Sequence, residues 1–168
     1  MKRRAAVRSR AWSALLAGGG ALVACAATAW AQELQYPKGA QVFQTQCVVC
    51  HQAKGAGLAG LAPPLTRNPG RYATLAEGRR HLAMMTLYGM FGEITVDGKP
   101  FNFKMPSFSQ LGDEDLAAVL NYVAFDIAQA PASAAALTAA DIAAVRATPM
   151  TGEAVRQHRA EILKTLEP

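Results

Sequence analysis

An all-α domain is predicted for this chain, and three observations carry the prediction. Leu116, Val119, Leu120, Val123 and Ile127 repeat at i, i+3 and i+4 spacing behind an acidic first turn, Asp113-Glu114-Asp115. A second segment, Gly39 to Val49, sets Val42, Phe43 and Gln46 on one partly apolar face. No alternation of strand and helix patterns, the mark of a parallel sheet, runs through the chain.

The 168 residues suffice for one ordinary domain and a small appendage, and 51% apolar with 17% charged residues excludes a disordered or collagen-like chain. Three cysteines are too few for a disulfide scaffold. The net charge of +5 would suit a nucleic-acid partner, but its source is the N-terminus, where Lys2, Arg3, Arg4, Arg8 and Arg10 precede an uncharged apolar stretch to about Ala31. That layout marks residues 1–31 as an export signal, with Ala29-Trp30-Ala31 fitting the small-x-small cleavage rule. Cleavage there removes five of the 17 basic residues and leaves 12 against 12 acidic ones, so no nucleic acid is expected as partner. The expected location is the periplasm. Two other fates compete: Leu22-Val23-Ala24-Cys25 resembles a lipobox that would anchor the chain by a lipid on Cys25, or the apolar stretch stays as a membrane helix.

Beyond the leader, the helix at Gly39 to Val49 is followed by a loop, because Gly55 to Leu65 holds three glycines and two prolines. A helix over Thr74 to Leu87 turns Leu75, Leu82, Met85 and Tyr88 inward and stops at Gly89 and Gly92. Ile94 to Phe103 reads as an extended or hairpin segment turning at Asp97-Gly98, and Met105-Pro106 as a loop. The acidic-start helix comes next, then an Ala- and Pro-rich linker from Ala128 to Ala136. Two short helices follow, Thr138 to Ala147 and Thr151 to about Leu166, each with a threonine N-cap. The domain is thus placed at 32–129 and an extension at 130–168. That extension could fold over the core, hold a partner or trail as a tail.

Cys47-Val48-Val49-Cys50-His51 is the pattern for covalent attachment of a c-type haem, and chance would produce it in about one such chain in a thousand. Residues three apart on a helix face the same way, so both thiols reach one haem edge as thioethers and the next imidazole is aimed at the iron. The competing readings are a zinc site, a thioredoxin-like redox pair and a structural disulfide. Zinc would need a fourth ligand where only His81 and His158 remain, and a redox pair would need an α/β fold. For the second axial position Met105 is chosen over His81, His158, lysines and the methionines Met84, Met85, Met90 and Met150, because Pro106 stiffens its loop and an amphipathic helix anchors it. Met84 and Met85 are expected in the core, His81 on the surface or half buried, and His158 in solvent.

Gly39, Phe43, the Cys47 to His51 motif, Pro63-Pro64-Leu65, Met105-Pro106, Val119 and Tyr122 together resemble the class I monohaem cytochromes c, over about Gly39 to Gln129. The resemblance implies the cytochrome c fold, in which Gly39 and Phe43 meet Val119 and Tyr122 where the first and last core helices cross around one haem. It also implies that the Pro63 carbonyl accepts the Nδ1 proton of His51, and that Tyr72, Tyr88, Phe101 and Phe103 are candidates for the haem pocket wall. Tyr88 and Phe103 are the two chosen.

The activity so implied is one-electron transfer and not catalysis, between redox proteins such as a periplasmic dehydrogenase, a respiratory complex or an oxidase. Docking is expected at a weakly charged rim made by Gln46, Gln52, Ala53, Lys54 and the Gly55 to Leu61 loop. Two alternatives stand beside it: a haem peroxidase or ligand-binding sensor with a labile sixth ligand, and a fixed electron-relay subunit of a dehydrogenase complex.

Overall fold

The first helix, α1 (Pro37–Gln46), starts two residues ahead of the expected Gly39, because Pro37 lies in the first turn, where a missing N–H costs nothing. It stops at Cys47, and a new four-residue helix, α2 (Val48–His51), begins there. The single helix expected over Gly39 to Val49 is therefore two, with the first cysteine at the joint. A computed structural model of the protein describes residues 33–166. The expected export signal, the Ala31 cleavage site and Cys25 lie outside those residues.

Helix α3 (Asn68–Ala73), which periodicity did not reveal, precedes α4 (Ala76–Tyr88). Gly89, at φ 74°, ends α4. The expected hairpin forms from β1 (Ile94–Val96) and β2 (Lys99–Phe101), pairing Ile94 with Phe101. Its two turn residues, Asp97 and Gly98, both have positive φ, 49° and 73°, as a tight hairpin turn of matching twist requires. Helix α5 (Asp113–Asn121) carries the acidic first turn and runs on through a wider π-helical stretch, Tyr122–Ile127. That stretch rotates Ile127 partly off the buried stripe that Leu116, Val119, Leu120 and Val123 form.

Helices α1 and α5 cross as the resemblance implied. A β-carbon on Gly39 would strike the Ala118 carbonyl and lie 2.7 Å from the Tyr122 Cβ, so only glycine allows this approach. Beside it the Phe43 and Tyr122 rings meet edge to face at 5.6 Å.

The C-terminal extension lies over the core. Thr138 caps α6 (Ala139–Arg146) in a reciprocal box with Asp141, and the Thr151 Oγ1 accepts from the Ala154 N–H at the start of α7 (Gly152–Leu166). Leu137, Ile142, Val145, Val155 and Ile162 are buried in the same core as Leu82, Leu87 and Leu116. The Asn121 side chain fixes the approach: its Nδ2 donates to the Leu137 carbonyl at 2.9 Å and its Oδ1 accepts from the Leu137 N–H at 2.8 Å. Farther on, Arg159 donates to the Thr95 carbonyl at 3.0 Å and Arg71 to the Leu166 carbonyl at 2.6 Å.

Candidate haem-binding site

The joint at Cys47 sets the site. Its carbonyl accepts the N–H groups of Cys50 at 3.2 Å and His51 at 2.9 Å, which winds the motif into one turn. Cys47, Cys50 and His51 thereby line a single cavity of about 270 Å³. Burial, reinforced by Cys50, pushes the Cys47 thiol up to about 11. A dithiol redox pair or a thiolate metal site calls for the opposite shift, so those readings of the motif lose support. Among the described residues no three His, Cys, Asp or Glu side chains are grouped to hold a metal ion.

A loop then returns over His51. The Gly57 N–H donates to the His51 carbonyl at 2.8 Å, and the Leu65 N–H to the Gly55 carbonyl at 2.8 Å. This brings the Pro63 carbonyl within 3.0 Å of His51 Nδ1. A carbonyl can only accept, so the ring proton sits on Nδ1 and the Nε2 lone pair is free. Burial lowers the pKa of this imidazole, and the Pro63 bond partly opposes the shift.

The remaining walls are apolar. Phe43 comes from α1, Leu82 and Met85 from α4, and Val119, Leu120 and Val123 from α5 and its continuation. The segment between α4 and α5 adds Met90, Ile94, Phe101, Phe103 and Met105. Met105 is held by its own backbone: its N–H donates to the Met90 carbonyl at 2.8 Å and its carbonyl accepts from the Met90 N–H at 3.1 Å. Just past it, the Ser107 Oγ donates to the Leu87 carbonyl at 2.6 Å and the Phe108 N–H to the Thr86 carbonyl at 2.8 Å. Gly89 accommodates this strand, since a β-carbon there would lie 3.0 Å from the Pro106 carbonyl carbon.

Of the expected site residues, Cys47, Cys50, His51, Pro63, Phe103 and Met105 all line the cavity, as does Phe101. Phe103 stands at its mouth, 61% exposed. Tyr88 does not line it. The Tyr88 hydroxyl donates to the Val145 and Arg146 carbonyls at 2.8 and 3.1 Å, so the ring is drawn to α6 instead of the cavity. Tyr72 is likewise absent from the wall and lies edge-on to His81.

His81 is fully buried, contrary to expectation, because α7 covers it: its Nδ1 lies 3.3 Å from His158 Nδ1. His158 is correspondingly half buried, with its Nε2 at 3.4 Å from Glu77. Neither histidine lines the cavity. Met84 is core, as expected, whereas Met85 also faces the cavity. Sequence reasoning overlooked Val49, which lines the mouth and is 76% exposed; its signal was the motif itself, where a helical turn must send one of the two intervening valines outward.

An apolar chamber with two thiols, one imidazole whose Nε2 is free and a thioether fits haem c. Cys47 and Cys50 would carry it, and His51 and a methionine would face its metal.

Comparison with known proteins agrees. The family profile described as Cytochrome c matches residues 36–125. The chain is 43% identical over 86 residues to cytochrome c-552 of Thermus thermophilus, across 51% of this chain and 65% of that protein. A second cytochrome c-552, from another strain of Thermus thermophilus, is also 43% identical over 86 residues, with 57% of its length covered. The cytochrome c subunit of the alcohol dehydrogenase (quinone) of Gluconobacter oxydans is 30% identical over 86 residues, 17% of its length. The matched stretch spans less than two thirds of each of these relatives. With more than half of its residues matching the family and a cavity suited to the cofactor, this chain belongs to the cytochrome c family, as a monohaem class I member with covalently bound haem c.

Proposed function

We propose that the protein is a one-electron carrier, with Cys47 and Cys50 as the thioether attachment points and His51 and Met105 as the axial ligands. One observation carries the reading: the Pro63 carbonyl holds the His51 ring proton on Nδ1, leaving Nε2 as a metal ligand in a cavity that Met105 shares. Bound there, haem c supplies reversible one-electron chemistry between ferric and ferrous iron. The Met105 thioether favours the ferrous state relative to a second imidazole, and the apolar walls push the same way. Two protein ligands leave a substrate no position to occupy, which is the arrangement of a carrier and not of an enzyme.

Partners are other redox proteins, an exported dehydrogenase, respiratory complex or oxidase. Val49 and Phe103, both apolar and both exposed at the cavity mouth, suit brief contacts with little charge steering. The likeness to a dehydrogenase's cytochrome c subunit favours a dehydrogenase as donor. It equally favours a second reading, a fixed relay subunit, which gel filtration of native extract separates from a free shuttle. The leader pattern supports export to the periplasm, by cleavage after Ala31 or by a lipid on Cys25, and the mass of the mature N-terminus distinguishes the two. No helix among the described residues is long and apolar enough to cross a membrane.

Protein made in a host that matures c-type cytochromes tests the whole. A pyridine hemochrome assay returns one covalent haem per chain, and the ferric protein shows the methionine-to-iron band at the red end of its spectrum. Met105→Ala abolishes that band and opens the iron to cyanide, while Met85→Ala and Met90→Ala keep it. Loss of the band in either of the latter, with retention in Met105→Ala, refutes the ligand assignment.

A further inference from the structure

Met105 sits on the irregular segment that joins α4 to α5, and its own backbone makes just one two-bond pairing, with Met90. What keeps such a segment closed is the anchoring of its two ends. Both ends are tied to Arg146, the last residue of α6. At the upstream end, the Tyr88 hydroxyl donates to the carbonyls of Val145 at 2.8 Å and Arg146 at 3.1 Å. At the downstream end the Arg146 guanidinium spans three acceptors: Nη1 donates to the Ser109 carbonyl at 2.7 Å, Nη2 to the Leu111 carbonyl at 2.8 Å, and Nε to Asp113 Oδ1 at 2.8 Å. Nη2 also pairs with Asp113 Oδ1 at 2.8 Å, and both side chains of that ion pair are about two-thirds shielded from water. A planar fork with five donors suits this job, and a lysine could satisfy only part of it.

We infer that Arg146 is a positioning residue for Met105, a clasp by which the C-terminal extension holds the ligand loop shut. The inference rests on Met105 being an axial ligand. Its physical content is a local opening equilibrium: with the downstream end released, the segment from Ser107 to Gly112 gains freedom and the thioether leaves the cavity more often. An external ligand that binds only the open form then binds more tightly, in proportion to the open fraction.

Imidazole added to the ferric holoprotein reads that fraction directly. Arg146→Ala raises the apparent imidazole affinity about ten- to a hundredfold, the factor expected for losing charge-assisted hydrogen bonds. Arg146→Lys, which keeps the cation opposite Asp113 and so guards against a variant that fails to fold, gives an intermediate rise. Hydrogen exchange at the Met105 and Phe108 amides quickens in both. Val155→Ala supplies the control for general destabilisation: it lowers the melting temperature through the core of α7 without touching the clasp, and leaves imidazole affinity at the wild-type value. Wild-type imidazole affinity in Arg146→Ala, or equal rises in Arg146→Ala and Val155→Ala at matched loss of stability, overturns the inference. Met105→Ala distinguishes failure of the ligand assignment: if it binds imidazole no better than wild type, both readings fall, and if it binds tightly while Arg146→Ala does not, the clasp alone does.

Discussion

Gly57 and Pro64 stand closer than any side chain would permit: a β-carbon on Gly57 would lie 2.6 Å from the Pro64 nitrogen and 2.8 Å from the Pro63 carbonyl carbon. The residue is also at φ +77°, where a side chain is strained in any case. This contact sets the height of the Pro63 carbonyl above His51. Gly57→Ala is therefore expected to destabilise the holoprotein by about 1–3 kcal/mol. It should also raise the redox potential, because a weaker bond to Nδ1 makes the imidazole a poorer donor to ferric iron. Thermal unfolding and a potentiometric titration check the two effects, and an unchanged potential would detach Pro63 from the tuning of His51.

The crossing of α1 and α5 offers a test in which two terms compete. Replacing Gly39 by alanine gains about 0.5–1 kcal/mol in helix propensity. The added methyl meets the Ala118 backbone carbonyl and the Tyr122 Cβ, neither of which is the free end of a flexible chain. Overpacking of that kind costs about 1–3 kcal/mol, so the clash prevails and the denaturation midpoint falls. A more stable Gly39→Ala protein would mean that the helices can slide apart at no cost.

Asn121 holds the extension by two buried bonds to one residue, Leu137. Asn121→Ala leaves a buried N–H and a buried carbonyl without partners, at a cost of about 2–4 kcal/mol in all. Denaturant unfolding measures the loss. The Leu137 amide, protected in the wild type, should exchange with solvent at a rate set by opening of the extension and not by global unfolding.

Acid stability turns on His81. Burial first, then His158 and Arg159, lower its pKa from 6.5 to about 3, so the folded protein keeps this ring neutral. Tyr72 on α3, Glu77 on α4, and His158 and Arg159 on α7 are the titratable or charged groups around it or its partner. The unfolded chain takes up a proton below pH 6.5 while the folded one refuses it. The contribution of a neutral His81 is thus complete above pH 6.5 and is lost as pH falls toward 3, by about 1.4 kcal/mol per pH unit at most. Unfolding free energies measured across that window for wild type and His81→Leu should differ in slope by up to one proton. Parallel slopes would show that His81 titrates in the folded state as it does in the unfolded.

The chemistry of the site was legible because it is local. Cys47, Cys50 and His51 fall within one helical turn, so spacing alone aligns them, and Pro106 beside Met105 marks a stiffened loop. The α5 stripe, the Asp97-Gly98 turn and the threonine caps of α6 and α7 are likewise written in residues a few positions apart. The chain's sequence accordingly sufficed for the all-α class, the haem, and the Phe43–Tyr122 crossing that the family resemblance implied.

What only the folded chain decided depends on residues far apart. Tyr88 looked like a wall residue because periodicity says which side chains turn inward, yet not what they meet; its partners lie 57 and 58 positions away on α6. His81 could be buried only because α7, 77 positions on, brings His158 and a cover of apolar side chains. The clasp of Arg146 on Ser109, Leu111 and Asp113 spans 33 to 37 positions and leaves no mark in composition. A buried polar group must find its partner wherever the packing of helices delivers one, and that delivery is a property of the assembled tertiary structure and not of any short stretch of chain.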